Sequence, residues 1–80
     1  MAVSILFLGP LSDLAGKGSC DVDAPLDWDG LIAAVGPAVA EQLQTKRVNI
    51  ACAGRVLADK TALAAKDGDE VALLPPVSGG

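Results

Sequence analysis

The sequence contains no histidine and no tyrosine, and its 80 residues include one tryptophan, one phenylalanine and one methionine. Without histidine this chain lacks the usual proton shuttle of neutral pH and the commonest metal ligand, which excludes a histidine-based catalytic triad and a mixed-ligand zinc site. Only two cysteines occur, Cys20 and Cys52, with no Cys-x-x-Cys spacing. Both fall in strand-forming segments, so they read as reduced core thiols and not as a disulfide framework, and no metal site is expected. Positive charge is scarce too: six Lys+Arg against ten Asp+Glu leave a net charge of −4. Contact with a phosphate backbone rests on Lys and Arg, so nucleic acid is not an expected partner. No apolar run approaches the ~18 to 20 residues of a membrane span, so no membrane partner is expected either. The opening Met1-Ala2-Val3-Ser4 has no basic stretch and no small-residue cleavage site behind it, which points to a cytoplasmic location.

What is present is half apolar, with 51% hydrophobic and 20% charged residues. A chain of this length makes one small core and has no material for a deep pocket. The acidity has two readings, plain solubility or a basic partner surface approached through complementary potential.

Val3 to Leu8 is rich in strand formers and stops at Gly9-Pro10, with Val3, Ile5 and Phe7 on one face. Leu11 to Gly18 has the composition of a loop, and a second strand over Ser19 to Ala24 would return beside the first. Asp27 is a good N-cap for a helix whose apolar positions are Trp28, Leu31, Ile32 and Val35. Gly36-Pro37 interrupts it, and a second helical piece runs through Val39 and Leu43. Val48 to Cys52 alternates, with Val48, Ile50 and Cys52 inward, and turns at Ala53-Gly54 into a short strand Arg55 to Leu57. Asp59 to Lys66 reads as a loop with one helical turn pinned by Leu63, and Lys60 as an ordinary loop charge. Asp67-Gly68-Asp69 is a turn whose carboxylates serve local hydrogen bonding, and Glu70 to Leu74 is the last strand.

This order predicts an α+β fold, a mixed sheet with one helical layer on one face, and residues 1–74 as a domain followed by a tail of residues 75–80. One sheet face then stays open. If Val3, Ile5, Phe7, Val71 and Leu73 point to the helices, alternation sends Leu6, Leu8, Ala72 and Leu74 outward, and these too are apolar. Either loops or neighbouring strands bury that face, or another protein covers it.

After Leu74 the sequence reads Pro75-Pro76-Val77-Ser78-Gly79-Gly80. Two prolines cannot continue a ladder and stiffen the exit, so the last residues project from the body. Gly79-Gly80 has no side chain to clash in a narrow channel, and the Gly80 carboxylate is open to attack. A terminal Gly-Gly can also be a frayed end; here the two prolines and the adjoining apolar face weigh against that.

The segment Asp67 to Gly80, together with Ile5-Leu6-Phe7-Leu8, Leu11, Asp13 and Gly16, resembles the molybdopterin synthase small-subunit family. The resemblance implies a β-grasp, ubiquitin-like fold and a sulfur carrier. It implies that an E1-like adenylating enzyme uses ATP to activate Gly80, and that a sulfur donor protein then leaves a thiocarboxylate. The loaded tail, Gly79 and Gly80, would enter the active site of a large subunit in a heterotetramer and deliver sulfur to cyclic pyranopterin monophosphate. On this reading the chain is a non-catalytic sulfur-donating subunit with no bound cofactor, and the active site lies on the large subunit. Leu8 and Leu74 match positions where that family carries aromatic contact residues. Leu6, Val56, Pro75, Pro76, Val77 and Ser78 complete the expected partner interface. Two other readings share these features: a sulfur carrier for thiazole, cysteine or tRNA thiolation, and a ubiquitin-like protein modifier. A pure interaction domain is the third.

Overall fold

A computed structural model describes residues 2–75. Strand β1 (Ala2–Phe7) alternates between buried and half-exposed side chains, as its sequence predicts, and pairs antiparallel with β2 (Ser19–Asp23). Strand β3 (Leu26–Asp27) is two residues long and leads into α2 (Trp28–Val35), which follows the shorter α1 (Pro10–Ala15) of the first connection. Helix α3 (Pro37–Leu43) comes next, then the hairpin β4 (Asn49–Cys52) and β5 (Arg55–Val56). A 3-10 turn (Lys60–Ala62), β6 (Ala64–Ala65) and β7 (Glu70–Leu74) complete the order.

The main sheet runs β2-β1-β7-β4-β5, and β3 pairs with β6 in a separate two-stranded ladder. The central pair β1 and β7 is parallel, with Ile5 opposite Val71 and Phe7 opposite Leu73. This mixed sheet with its helical layer is the expected α+β, β-grasp arrangement. Val3, Ile5, Val71, Leu73 and Ile50 are fully buried, and they join Leu31, Val39, Leu43, Val48 and Leu63 in one core. Among the described residues no helix is long and apolar enough to cross a membrane.

Local signals explain most of the elements. Asp27 Oδ1 accepts from the Gly30 N–H at 2.8 Å, the cap expected at the start of α2. Ala53 (φ 52) and Gly54 (φ 84) take the two left-handed conformations of a tight type I′ hairpin turn. Leu63 is 3% exposed and anchors its turn as expected.

Three expectations change. Leu11 to Gly18 is not wholly loop: α1 forms because Pro10 opens it, Leu11 buries against the core and Gly16 ends it in a left-handed conformation. Lys60 is not an ordinary loop charge. Its Nζ donates to the carbonyl of Thr45 and, at 2.8 Å, to that of Val48, tying the end of α3 to the start of β4. Asp67 does more than local turn bonding, because its Oδ1 accepts from the Ala2 N–H at 2.8 Å, across the chain, whereas Asp69 Oδ2 does accept locally from the Lys66 N–H at 2.9 Å.

Candidate functional site at the strand exit and the open sheet face

Because β1 and β7 run parallel, their C-terminal ends lie side by side, which brings Leu8 next to Leu74 and Pro75. Directly after β1 the chain reverses: the Leu11 N–H donates to the Leu8 carbonyl at 3.2 Å, and Ser12 Oγ donates to the Gly9 carbonyl at 2.7 Å. Gly9 sits at φ 56, ψ −133, a conformation closed to residues with a Cβ. A Cβ there would also stand 3.3 Å from Pro75 Cγ. The turn after β1 therefore abuts the first residue after β7, and it is the last described feature of the exit.

The open face is read from the pairing register, since side chains of paired residues point to the same side. Leu6 pairs with Ala72, Ala72 with Ala51, and Ala51 with Val56, so one apolar row crosses β1, β7, β4 and β5. Alanines form its floor and Leu6 and Val56 its walls, a trough spanning three strand spacings or about 14 Å. Leu6, Ala72 and Ala51 are half-buried, whereas Val56 is 63% and Leu8 40% exposed. Leu74 and Pro75, both half-buried, continue the surface to the exit. Of the expected interface, then, Leu6, Leu8, Val56, Leu74 and Pro75 lie on one side of the molecule around the end of β7. Pro76, Val77, Ser78, Gly79 and Gly80 lie outside the described residues.

No thiol chemistry competes with this site. Cys20 and Cys52 are free and face the helical side, half-buried against the core. Burial, and then the nearby Asp69 carboxylate, pushes the Cys52 thiol above its usual range, the opposite of what a nucleophile needs. Burial lowers the Lys60 ammonium, and Thr61, through its hydroxyl and backbone N–H, lowers the Asp59 carboxyl. Two shallow grooves lie away from the exit. One of about 250 Å³ is lined by Pro25, Leu26, Asp27, Ala64, Ala65 and Lys66. The other, of about 410 Å³, runs along Lys46, Leu57, Asp59 and Lys60. In the second groove Thr61 Oγ1 donates to Asp59 Oδ1 at 2.6 Å, but the same carboxylate oxygen also accepts from the Thr61 N–H at 3.0 Å, and these bonds hold its carboxyl below the usual range, the mark of a local helix cap and not of a base. Among the described residues no group of three Cys, Asp or Glu side chains is placed to hold a metal ion.

Sequence reasoning missed Leu14, which is 48% exposed on α1. Its signal was the three-residue spacing from Leu11 behind a proline at the first helical position.

Residues 5–80 match the ThiS family. The chain belongs to the ThiS family. Members of this family are ubiquitin-like sulfur carriers and modifiers, and the β-grasp fold described above is theirs. The chain is similar in structure to SAMP1 from Haloferax volcanii, with a TM-score of 0.72, 28% identity and 100% of both chains covered. It is similar to a chain from the complex of subunits 1 and 2 of the molybdopterin-converting factor of Helicobacter pylori 26695, with a TM-score of 0.67, 28% identity and again 100% of both chains. A putative molybdopterin converting factor, subunit 1, from Pyrococcus furiosus shares the fold, with a TM-score of 0.72 and 24% identity over 96% of this chain and 99% of that one. No curated protein sequence matches the chain.

Proposed function

We propose that this ThiS-family chain is a sulfur carrier for molybdenum cofactor biosynthesis and acts through the carboxylate of Gly80. The observation that supports it most is the placement of the β7 exit beside an apolar open face, in a chain whose family match runs through Gly80. A carboxylate is a poor electrophile. In the proposed sequence its oxygen attacks the α-phosphorus of ATP on an E1-like enzyme, pyrophosphate leaves, and the acyl adenylate is open to a sulfur nucleophile from a sulfur donor protein. AMP departs with the bonding pair; with a protein persulfide as donor, a second thiol then attacks the donor's inner sulfur, forms a disulfide with it and releases the thiocarboxylate on Gly80. The small subunit then docks through Leu6, Leu8, Val56, Leu74 and Pro75 on a large subunit, and Pro76, Val77, Ser78, Gly79 and Gly80 enter its active site. There the sulfur attacks a carbon of cyclic pyranopterin monophosphate and displaces an oxygen from it, and water then hydrolyses the resulting thioester, leaving sulfur on the precursor and restoring the Gly80 carboxylate. The carrier supplies the reacting atom, and the partner supplies orientation and charge stabilisation. ATP is the activating enzyme's substrate, and this chain needs no cofactor of its own.

The similarity to the H. pylori chain supports the assignment of the large subunit as partner. The similarity to SAMP1, at the same identity and a higher TM-score, supports a second reading, a protein modifier joined through Gly80 to lysine side chains. Intact mass after incubation with an E1-like enzyme, ATP and a sulfide source separates the two. Exchange of one oxygen for sulfur is the expected result, followed by dithiolene formation when large subunit and precursor are added. Protein-sized adducts without the exchange would overturn the carrier reading, as would full sulfur delivery by a chain lacking Gly79-Gly80.

A further inference from the structure

Helices α1 and α2 begin in different ways. Asp27, which starts α2, sits in ordinary extended backbone (φ −106, ψ −175) and its carboxylate accepts from the Gly30 N–H. Gly9, which starts α1, has neither feature: its backbone lies at φ 56, ψ −133, and no side chain caps the helix. What it keeps instead is space. Among the described glycines with positive φ, Gly9 alone has an atom within 4 Å of where a Cβ would stand, and that atom is Pro75 Cγ.

The turn that carries Gly9 is itself pinned. Ser12 donates to the Gly9 carbonyl twice, from its N–H at 3.1 Å and from Oγ at 2.7 Å. Its own carbonyl accepts from the N–H groups of Gly16 and Lys17. Leu11 is buried beside it, and the bond from the Phe7 N–H to the Gly18 carbonyl at 2.9 Å closes the connection onto the sheet. A serine in a first helical turn makes such a hydroxyl bond for local reasons alone. Local reasons do not account for the carbonyl it holds, which belongs to the glycine facing the Pro75 ring.

We propose that Ser12 and Gly9 are positioning residues for the terminus: they form a fixed wall against which Pro75 sets the direction in which the chain leaves β7. The proposal rests on the carrier reading, because a terminus delivered to another protein's active site needs a set direction. Pairing of β1 with β7 ends at Phe7 and Leu73, and Leu74 is still paired with Asn49. Pro75 has no N–H to extend a ladder, so the wall takes over where pairing stops. Five residues follow Pro75 and reach about 16 Å at ~3.3 Å each. A tilt of about 10° at the base of such an arm moves its end by about 3 Å, as much as the whole separation allowed between reacting atoms, about 3–3.5 Å.

Sulfur delivery by the loaded chain, followed in single turnover against the concentration of a molybdopterin synthase large subunit charged with precursor, separates positioning from docking. Gly9→Ala and Ser12→Ala should each lower the maximal rate about 10-fold, within the range that a displacement of about 1 Å costs, and change the half-saturating concentration less than about 2-fold. Ser12→Thr, which keeps a hydroxyl, should recover most of the rate. Pro75→Ala should also slow delivery, and adding Gly9→Ala to it should cost no further rate, because both act through one contact. Asp27→Ala, which loses a helix cap far from the exit, should deliver at the wild-type rate. A raised half-saturating concentration with an unchanged maximal rate would make the turn a docking contact, and multiplied losses in the double variant would detach Gly9 from Pro75; either result overturns the proposal. A second measurement needs no pathway. In the unloaded protein, 15N relaxation of the Val77 amide should show wider fast motion in Gly9→Ala and Ser12→Ala than in wild type and Asp27→Ala, and equal motion in all four overturns the proposal. Wild-type protein that never accepts sulfur refutes the carrier reading, while the Val77 amide still decides whether the turn fixes the exit.

Discussion

Replacing Gly9 by alanine tests whether the β7 exit is held against the turn after β1. The backbone at φ 56, ψ −133 is closed to a Cβ-bearing residue, and holding one there costs about 1–3 kcal/mol. The new Cβ would also lie 3.3 Å from Pro75 Cγ, close enough that the proline must yield by a few tenths of an ångström. For a domain of this size the sum lowers the melting temperature by about 5–20 °C. Gly16→Ala is the matched control: φ 74, ψ 15 is strained for alanine, but nothing stands within 4 Å of the added Cβ. Its expected cost is about 1–2 kcal/mol. Urea unfolding followed by the fluorescence of Trp28, the single tryptophan and half-buried against the core, measures both. The decisive step repeats each change with Pro75→Ala, which removes Cγ. Gly9→Ala should then cost less by about 0.5 kcal/mol or more, while Gly16→Ala should be additive within about 0.3 kcal/mol. Additivity at Gly9 as well would refute the contact and detach the exit from this turn.

Lys60→Met should destabilise the fold at neutral pH by about 1–2 kcal/mol, because two charge-assisted bonds to the Thr45 and Val48 carbonyls are lost against a partial gain from no longer burying an ammonium. Burial lowers the pKa of Lys60, so across the window from its folded value up to the ordinary 10.5 the unfolded chain binds more protons than the folded one. Wild type should therefore gain stability relative to Lys60→Met as pH rises through that window, and a narrowing difference in urea midpoint would show the sign to be wrong. Asp27→Ala removes the bond to the Gly30 N–H and should lower stability by about 1 kcal/mol, read by the same unfolding assay; no change would mean that α2 is held by packing alone.

Much of this fold was legible because the signals were local. Val3, Ile5, Phe7, Val71 and Leu73 alternate with neighbours that stay half-exposed, and a two-residue period needs no tertiary knowledge to be seen. Asp27 before Trp28, and Gly36-Pro37 between two apolar stripes, are likewise written in neighbouring residues. What escaped depends on distance. Lys60 looks like any loop lysine until the chain brings the end of α3 within its reach. The β3–β6 ladder joins Leu26 to Ala65, two residues a side, too short for any pattern to register. Helix α1 was hidden by Ser12, Asp13 and Gly16, all common in loops, although Pro10 and Leu11 favoured a helical start. At the candidate site the outward leucines followed from alternation alone, but the row that joins Leu6 to Val56 required the register of three strand pairs.

The parallel pairing of β1 and β7 ties these features together. Had β7 run the other way, its end would lie beside Ala2 and Asp23, at the acidic end of the open face. Parallel to β1, it passes Glu70 opposite Ser4 and leaves beyond the pairing of Phe7 with Leu73, next to Leu8. Leu74 is four residues past Glu70, which puts the exit about 13 Å at ~3.3 Å per residue from the level of Glu70 and of Asp21, both paired with Ser4, and farther from Asp23 opposite Ala2. That exceeds the Debye length of about 8 Å at physiological salt, so an anionic group borne beyond the exit feels little repulsion from Asp21, Asp23 and Glu70. The carboxylates at one end of the open face and a negatively charged terminus at the other are therefore kept apart. An antiparallel strand of the same sequence would set them side by side.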